Sequence, residues 1–196
     1  QILSQEILDI PKYGTFNVYG SLLPKYRGSA PIQWAIINGE QKTGITIMQV
    51  VEALDAGDMY KKCEIEINSD MTVGILHDKM AEAGAKLMLE VLDDLDNIKP
   101  QKQDETLVTY AAKIDKEESK LDFDNDAVYL ERKIRAFNPY PATYFEHNGE
   151  RFKLMKCKVV ENEQGLSSGE IYSSNKQLII GCNTKALEVL LIHRPG

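Results

Sequence analysis

Residues 16–31, FNVYGSLLPKYRGSAP, constrain the fold of this chain more than any other stretch. Thr15, Phe16 and Val18 favour an extended strand. Gly20 and Pro24 break it, so Ser21, Leu22 and Leu23 leave the strand in a tight loop. A helix is expected at once, with Ser29 as N-cap, Pro31 in the first turn and Asn38-Gly39 as the stop. Strand, loop and helix in that order place a ligand at the carboxyl end of a strand in an α/β sheet. Side chains two apart on a strand share a face, so Asn17, Tyr19 and Ser21 project together. An amide, a phenol and a hydroxyl at one point suit a carbonyl oxygen or an oxyanion. Three polar residues at period two also describe a solvated strand end, and pattern alone favours that plainer reading.

The rest of the chain frames this stretch. With 196 residues, 43% of them hydrophobic and 27% charged, it has the composition of an ordinary globular chain of one large or two small domains. No apolar run approaches a membrane span, and no secretion signal is present. Cys63, Cys157 and Cys182 are odd in number, far apart and lack a C-x-x-C pair, which argues against a disulfide framework or a zinc site and for free thiols in a reducing cytosol. His77, His147 and His193 show no metal-ligand spacing either. The net charge of −7 is uneven: residues 1–119 carry −8 and residues 120–196 carry +1. A generally sticky nucleic-acid binder is excluded, while a local basic face on the second part is not.

Along the chain, a short helix is expected before Pro11. Residues 43–51 read as a buried strand, 52–58 as a loop and 59–67 as a second strand. Asp70 or Thr72 can cap a long helix running to about Leu95, with Val73, Leu76, Met80, Ala83 and Leu87 on its buried face. Residues 97–119 are polar and read as a linker with one extended segment. From about Lys120, a helix that Asp124-Asn125-Asp126 can cap is expected to end before Pro139. Five short strands follow over 143–146, 151–160, 169–172, 178–182 and 186–192. Asn148-Gly149 is a hairpin turn. Five short strands suit a small barrel of OB type.

Three ordered segments also carry a resemblance. Asn17, Ser21, Leu22, Leu23, Pro24, Arg27, Gly28, Ala30 and Pro31 fit the Asn-x-His-x-Ser-Leu-Leu-Pro-x-x-x-Gly signature of the 10-formyltetrahydrofolate-dependent formyltransferases. Residues 43–49 with 54–58, and then 135–141, resemble two further segments of that family, closest to its methionyl-tRNA branch. The resemblance implies an α/β fold: residues 1–96 as the C-terminal part of a Rossmann-like formyltransferase domain lacking its N-terminal strands, a linker over 97–119, and an OB-like domain over 120–196. It implies a cytoplasmic enzyme of translation initiation, with 10-formyltetrahydrofolate as formyl donor, initiator methionyl-tRNA as acceptor, and no metal, membrane or protein partner.

The resemblance also implies roles. Asn17 and position 19 meet the oxyanion, and Asp55 manages the proton; as a residue of a Leu-Asp-Ala-Gly turn, Asp55 can equally bond its own backbone. Ser21, Leu22, Leu23 and Pro24 match the folate-contact segment. Lys25 and Arg27 are expected near the acceptor end of the RNA, with Lys153, Lys156 and Lys158 on a second basic face. One position departs from the pattern: Tyr19 stands where the family has histidine, so this form is expected to be slow or inactive. Two alternatives stay open, a sugar-nucleotide N-formyltransferase and a non-catalytic tRNA-binding module.

Overall fold

The computed structural model describes residues 3–194. The chain divides into two units. One comprises the residues up to Ala35 with Glu40–Ser69 and Ile75–Lys113; the other comprises Ile36–Gly39, Asp70–Gly74 and the residues from Ile114 onward.

In the first unit the elements are α1 (Gln5–Leu8), β1 (Phe16–Tyr19), β2 (Arg27–Gly28), α2 (Pro31–Ile37), β3 (Lys42–Gln49), β4 (Met59–Glu66), α3 (Val73–Asp93) and β5 (Tyr110–Ala111). The sheet has the order β1-β3-β4, with both pairings antiparallel. The parallel stacking of a Rossmann-like sheet is therefore not seen in these three strands, since β4 returns beside β3 after a nine-residue loop and β1 lies antiparallel on β3's other side. Six consecutive residues of β3 are buried, from Thr43 to Met48. Leu76, Met80, Leu87 and Val91 form the buried stripe of α3. A Cβ built on Gly84 of that helix would lie 2.6 Å from Val18 Cγ1, so Val18 faces α3 and Asn17 and Tyr19 project from the other face of β1.

Pro31 opens α2 as expected, but its cap is Ala30, whose carbonyl accepts from Trp34 N at 3.1 Å, and not Ser29. Ser29 N donates to Ala111 O at 2.9 Å, which keeps it in the β2–β5 region.

Residues 101–112 depart most from expectation, since they do not behave as a linker. Gln101 and Met59 exchange two backbone hydrogen bonds of 2.8 Å. Gln103 is buried. β5 pairs in parallel with β2, and Trp34 Nε1 donates to Ala112 O at 2.9 Å. This strap lies within the first unit.

The second unit holds α4 (Ala127–Ala136), β6 (Thr143–His147), β7 (Glu150–Val160), β8 (Ile171–Ser173), β9 (Leu178–Gly181) and β10 (Ala186–His193). Asp126 caps α4, its carboxylate accepting from Val128 N at 2.7 Å and Tyr129 N at 3.2 Å. The five-stranded sheet is antiparallel, in the order β6-β7-β10-β9-β8. Leu130 and Ile134 of α4 pack with Leu121, Leu154, Cys157, Cys182 and Leu187. Asn148 and Gly149 both have positive φ, 51° and 80°, as a tight Asn-Gly hairpin turn demands.

β7 contains an irregularity that the sequence conceals. Its register with β10 shifts between Leu154 and Cys157. The exposed positions accordingly change from odd numbers to even, so Arg151, Lys153, Lys156 and Lys158 are all exposed while Leu154 and Cys157 stay buried. A strict two-residue period would have split these cations between the faces.

Candidate active site

The loop after β1 is fixed from beneath by β3. Thr46, fully buried, donates its hydroxyl to Ser21 O at 2.7 Å and accepts from Leu23 N at 3.1 Å. Ser21 is itself fully buried, with its hydroxyl donated to Lys25 O at 2.6 Å. Leu23 is 1% exposed. Both residues were expected to touch the folate, and neither presents a surface to any ligand; they hold the loop. Leu22 and Pro24, half-buried, line a cavity of about 390 Å³ with Lys25, Tyr26, Glu40 and Leu107.

Tyr19 lies at the junction. Its ring packs with Leu23, Met48 and Met59 and is 5% exposed. The hydroxyl donates to Tyr26 O at 2.6 Å and lies 2.9 Å from Gly28 O. A phenol has one proton, so the shorter contact takes it and no donor remains free for a substrate. Burial, and after it the nearby negative charge of Asp55, push the phenol well above its ordinary value.

Asp55 reaches the same point from the β3–β4 loop. Its Oδ2 accepts from Gly28 N at 2.8 Å. Asp55 has φ 47°, a left-handed conformation tolerated by aspartate. Two glycines allow the approach. Gly28 has φ 121°, and a Cβ there would lie 2.5 Å from Ala111 O. Gly57 lies against Gln49 O, leaving no room for a side chain. Asp58 acts through its backbone, its carbonyl accepting from Gln49 N at 2.9 Å.

The structure thus joins Tyr19, Gly28 and Asp55, which are 36 residues apart at the extremes. Asn17 lies half-buried two residues before Tyr19 on the same face of β1, opposite Met48. Tyr19 and Gly28 also line a cavity of about 420 Å³ with Val18, Ile45, His77 and Met80; neither Asn17 nor Asp55 enters that wall.

The basic residues separate. Arg27, expected to meet RNA, is 4% exposed and committed to its own chain. Its Nε and Nη2 donate to Gln103 Oε1 at 3.0 and 2.9 Å, and Nη2 pairs with Glu105 at 2.7 Å. It is a strut between the motif loop and the strap. Lys25 is exposed and sits 3.6 Å from Glu40. Lys158 pairs with Glu188 at 2.9 Å. Gln103 was missed by sequence reading, because nothing in its aperiodic polar surroundings signals burial.

Among the described residues no cluster of His, Cys, Asp and Glu could hold a metal ion, and no helix is long and apolar enough to cross a membrane.

Comparison with known proteins agrees with this geometry. The formyl transferase family matches residues 1–92, and the formyl transferase C-terminal domain matches residues 113–196. Methionyl-tRNA formyltransferase of Rhizorhabdus wittichii is 45% identical over 195 residues, covering 100% of this chain; the chain spans 62% of that relative's length. Among solved structures, HypX from Aquifex aeolicus in complex with tetrahydrofolic acid aligns with a TM-score of 0.70 at 22% identity, over 92% of this chain and 32% of that one. An N-formyltransferase from Helicobacter canadensis, in complex with folinic acid and dTDP-3-aminofucose, aligns with a TM-score of 0.72 at 20% identity, over 92% and 66%. With both of its units matched in order by the two parts of one family, and with the motif loop and the Asp55 loop folded onto one point, this chain belongs to the formyl transferase family.

Proposed function

We propose that the protein transfers the formyl group of 10-formyltetrahydrofolate to the amino group of methionyl-initiator tRNA, in the cytoplasm, for translation initiation. The observation that carries the reading is the hydrogen bond from Gly28 N to the Asp55 carboxylate, which brings an acidic loop onto the tip of the motif strand. Identity of 45% to a methionyl-tRNA formyltransferase across the whole chain supports this acceptor.

The chemistry divides among few groups. The amine nitrogen attacks the formyl carbon, and the carbonyl oxygen takes up negative charge. Asn17 is the amide donor to that oxygen, a contact worth about 3 kcal/mol in the barrier. Asp55 receives the proton that the nitrogen sheds, and the carbon–nitrogen bond to the folate then breaks with a proton returned to the folate nitrogen. Tyr19 contributes little as it stands, its proton being held by Tyr26 O. For the folate, the open surfaces of Leu22, Pro24 and Leu107, which line one cavity, offer an apolar wall suited to a flat ring. The second unit is read as an OB-like half-barrel, supported by its five short antiparallel strands. Lys153, Lys156 and Lys158 on its exposed face, with Lys25 on the motif loop, are read as phosphate contacts.

The test offers the whole protein two acceptors with 10-formyltetrahydrofolate: initiator methionyl-tRNA and a 4-amino-4-deoxy sugar nucleotide. Formylation of the tRNA alone is expected. Formylation of the sugar nucleotide alone would move the protein to the sugar branch, and salt-sensitive tRNA binding without transfer, even in the Tyr19→His variant, would make it a binding module.

A further inference from the structure

Gln103 closes a ring of hydrogen bonds around Asp55. Its Nε2 donates to Asp55 O at 2.7 Å and to Gly57 O at 2.9 Å. Its Oε1 accepts from Arg27 Nε and Nη2 at 3.0 and 2.9 Å. Both protons and both lone pairs of the carboxamide are used, and its orientation is forced, since a guanidinium only donates and backbone carbonyls only accept. The Asp55 side chain then reaches Gly28 N, and Gly28 follows Arg27 in the chain. Asp55 is thereby held at both ends, by backbone through Gln103 and by side chain through Gly28, in a left-handed conformation that its own preference does not secure.

We propose that Gln103, braced by Arg27, is a positioning residue for Asp55: it fixes the backbone from which the carboxylate reaches the motif loop. Gln103 contributes no surface to the reacting groups and acts only through Asp55. The kinetic consequence rests on the reading of Asp55 as proton acceptor; the structural consequence does not.

Two substitutions test it in the whole protein. Gln103→Met keeps length and removes all four hydrogen bonds. Gln103→Glu keeps the contact with Arg27 and sets carboxylate oxygens against the two carbonyls, so it distinguishes loss of the donors from loss of the strut. Amide hydrogen exchange of Gly28 is read by NMR, with Asp55→Ala as the reference for a released amide. In both Gln103 variants Gly28 is expected to exchange at least tenfold faster than in the parent. Protection at the parent level in a folded variant, when Asp55→Ala has lost it, overturns the proposal; Gln103→Glu decides if Gln103→Met does not fold. The second reading is a double-mutant cycle on single-turnover formyl transfer. Gln103→Met is expected to slow transfer tenfold to a hundredfold, and to change the Asp55→Asn rate by less than twofold, because a positioning residue has nothing left to position. Losses that multiply overturn it. Should Asp55→Asn, or the parent, show no role in formyl transfer, the functional reading fails while the exchange result still decides the proposal.

Discussion

Replacing Tyr19 with histidine is expected to speed formyl transfer by roughly 100-fold to 900-fold. The magnitude follows from where the phenol proton goes. It sits on Tyr26 O at 2.6 Å, so the parent gives no donor to an oxyanion from this position. A free donor at an oxyanion lowers a barrier by about 2.7–4 kcal/mol. That gain converts to the stated range at 1.36 kcal/mol per tenfold. A protonated imidazole has two N–H groups: one can face Asp55 while the other serves the reacting oxygen. The assay is single-turnover transfer to saturating initiator methionyl-tRNA, with Tyr19→Phe as control. The control is expected to stay within about threefold of the parent, because the hydroxyl it removes is not given to the substrate. The pH profile adds a second check. Burial and Asp55 keep Tyr19 neutral well above the ordinary phenol value, so the parent shows no limb from this residue, while the histidine variant gains one near neutrality. A histidine variant within twofold of the parent, or a phenylalanine variant a hundredfold slower, would refute this account of position 19.

Three further outcomes are expected. The phenol also makes stability pH-dependent: its folded value lies above its unfolded value of about 10, so the stabilisation is complete below pH 10 and falls as pH rises further, by at most about 1.4 kcal/mol per pH unit; denaturant unfolding should show that slope in the parent and not in Tyr19→Phe. Thiol titration with a disulfide reagent at pH 8 should label Cys63 in the native chain and all three cysteines only after unfolding, because Cys157 and Cys182 are buried and burial pushes the Cys182 thiol up to about 11. Lys153→Glu with Lys156→Glu should weaken tRNA binding and flatten its salt dependence by roughly two phosphate contacts; Lys158→Glu should do less, since Glu188 already neutralises Lys158.

Periodic and capped elements were readable from sequence. The α3 stripe, a helix cap within residues 124–126 and the Asn148-Gly149 turn each rest on chemistry local to a few residues. The two facing strands were legible from strand signals on either side of a turn, whereas the meeting of the Asp55 loop with the motif loop followed only from the family resemblance. The strap was not, for its grip comes from two-residue pairing of β2 with β5 and from side chains such as Gln103, neither of which leaves a period. Arg27 was misjudged for the same reason: a cation beside an active loop looks exposed until a buried carboxamide is found to receive it. The bulge in β7 also escaped, since one extra residue reverses the face of every side chain beyond it. The expectation of Ser21 as a folate contact came from its place in the family motif, yet its hydroxyl and carbonyl are both needed to hold the loop.

The most direct test of Asp55 as the proton acceptor at the strand tip is the single-turnover rate of Asp55→Asn in the whole protein. Asparagine can still accept from Gly28 N, so the loop stays in place while the base is lost. Transfer is expected to fall a hundredfold or more with tRNA affinity unchanged; a rate equal to the parent's would contradict the assignment.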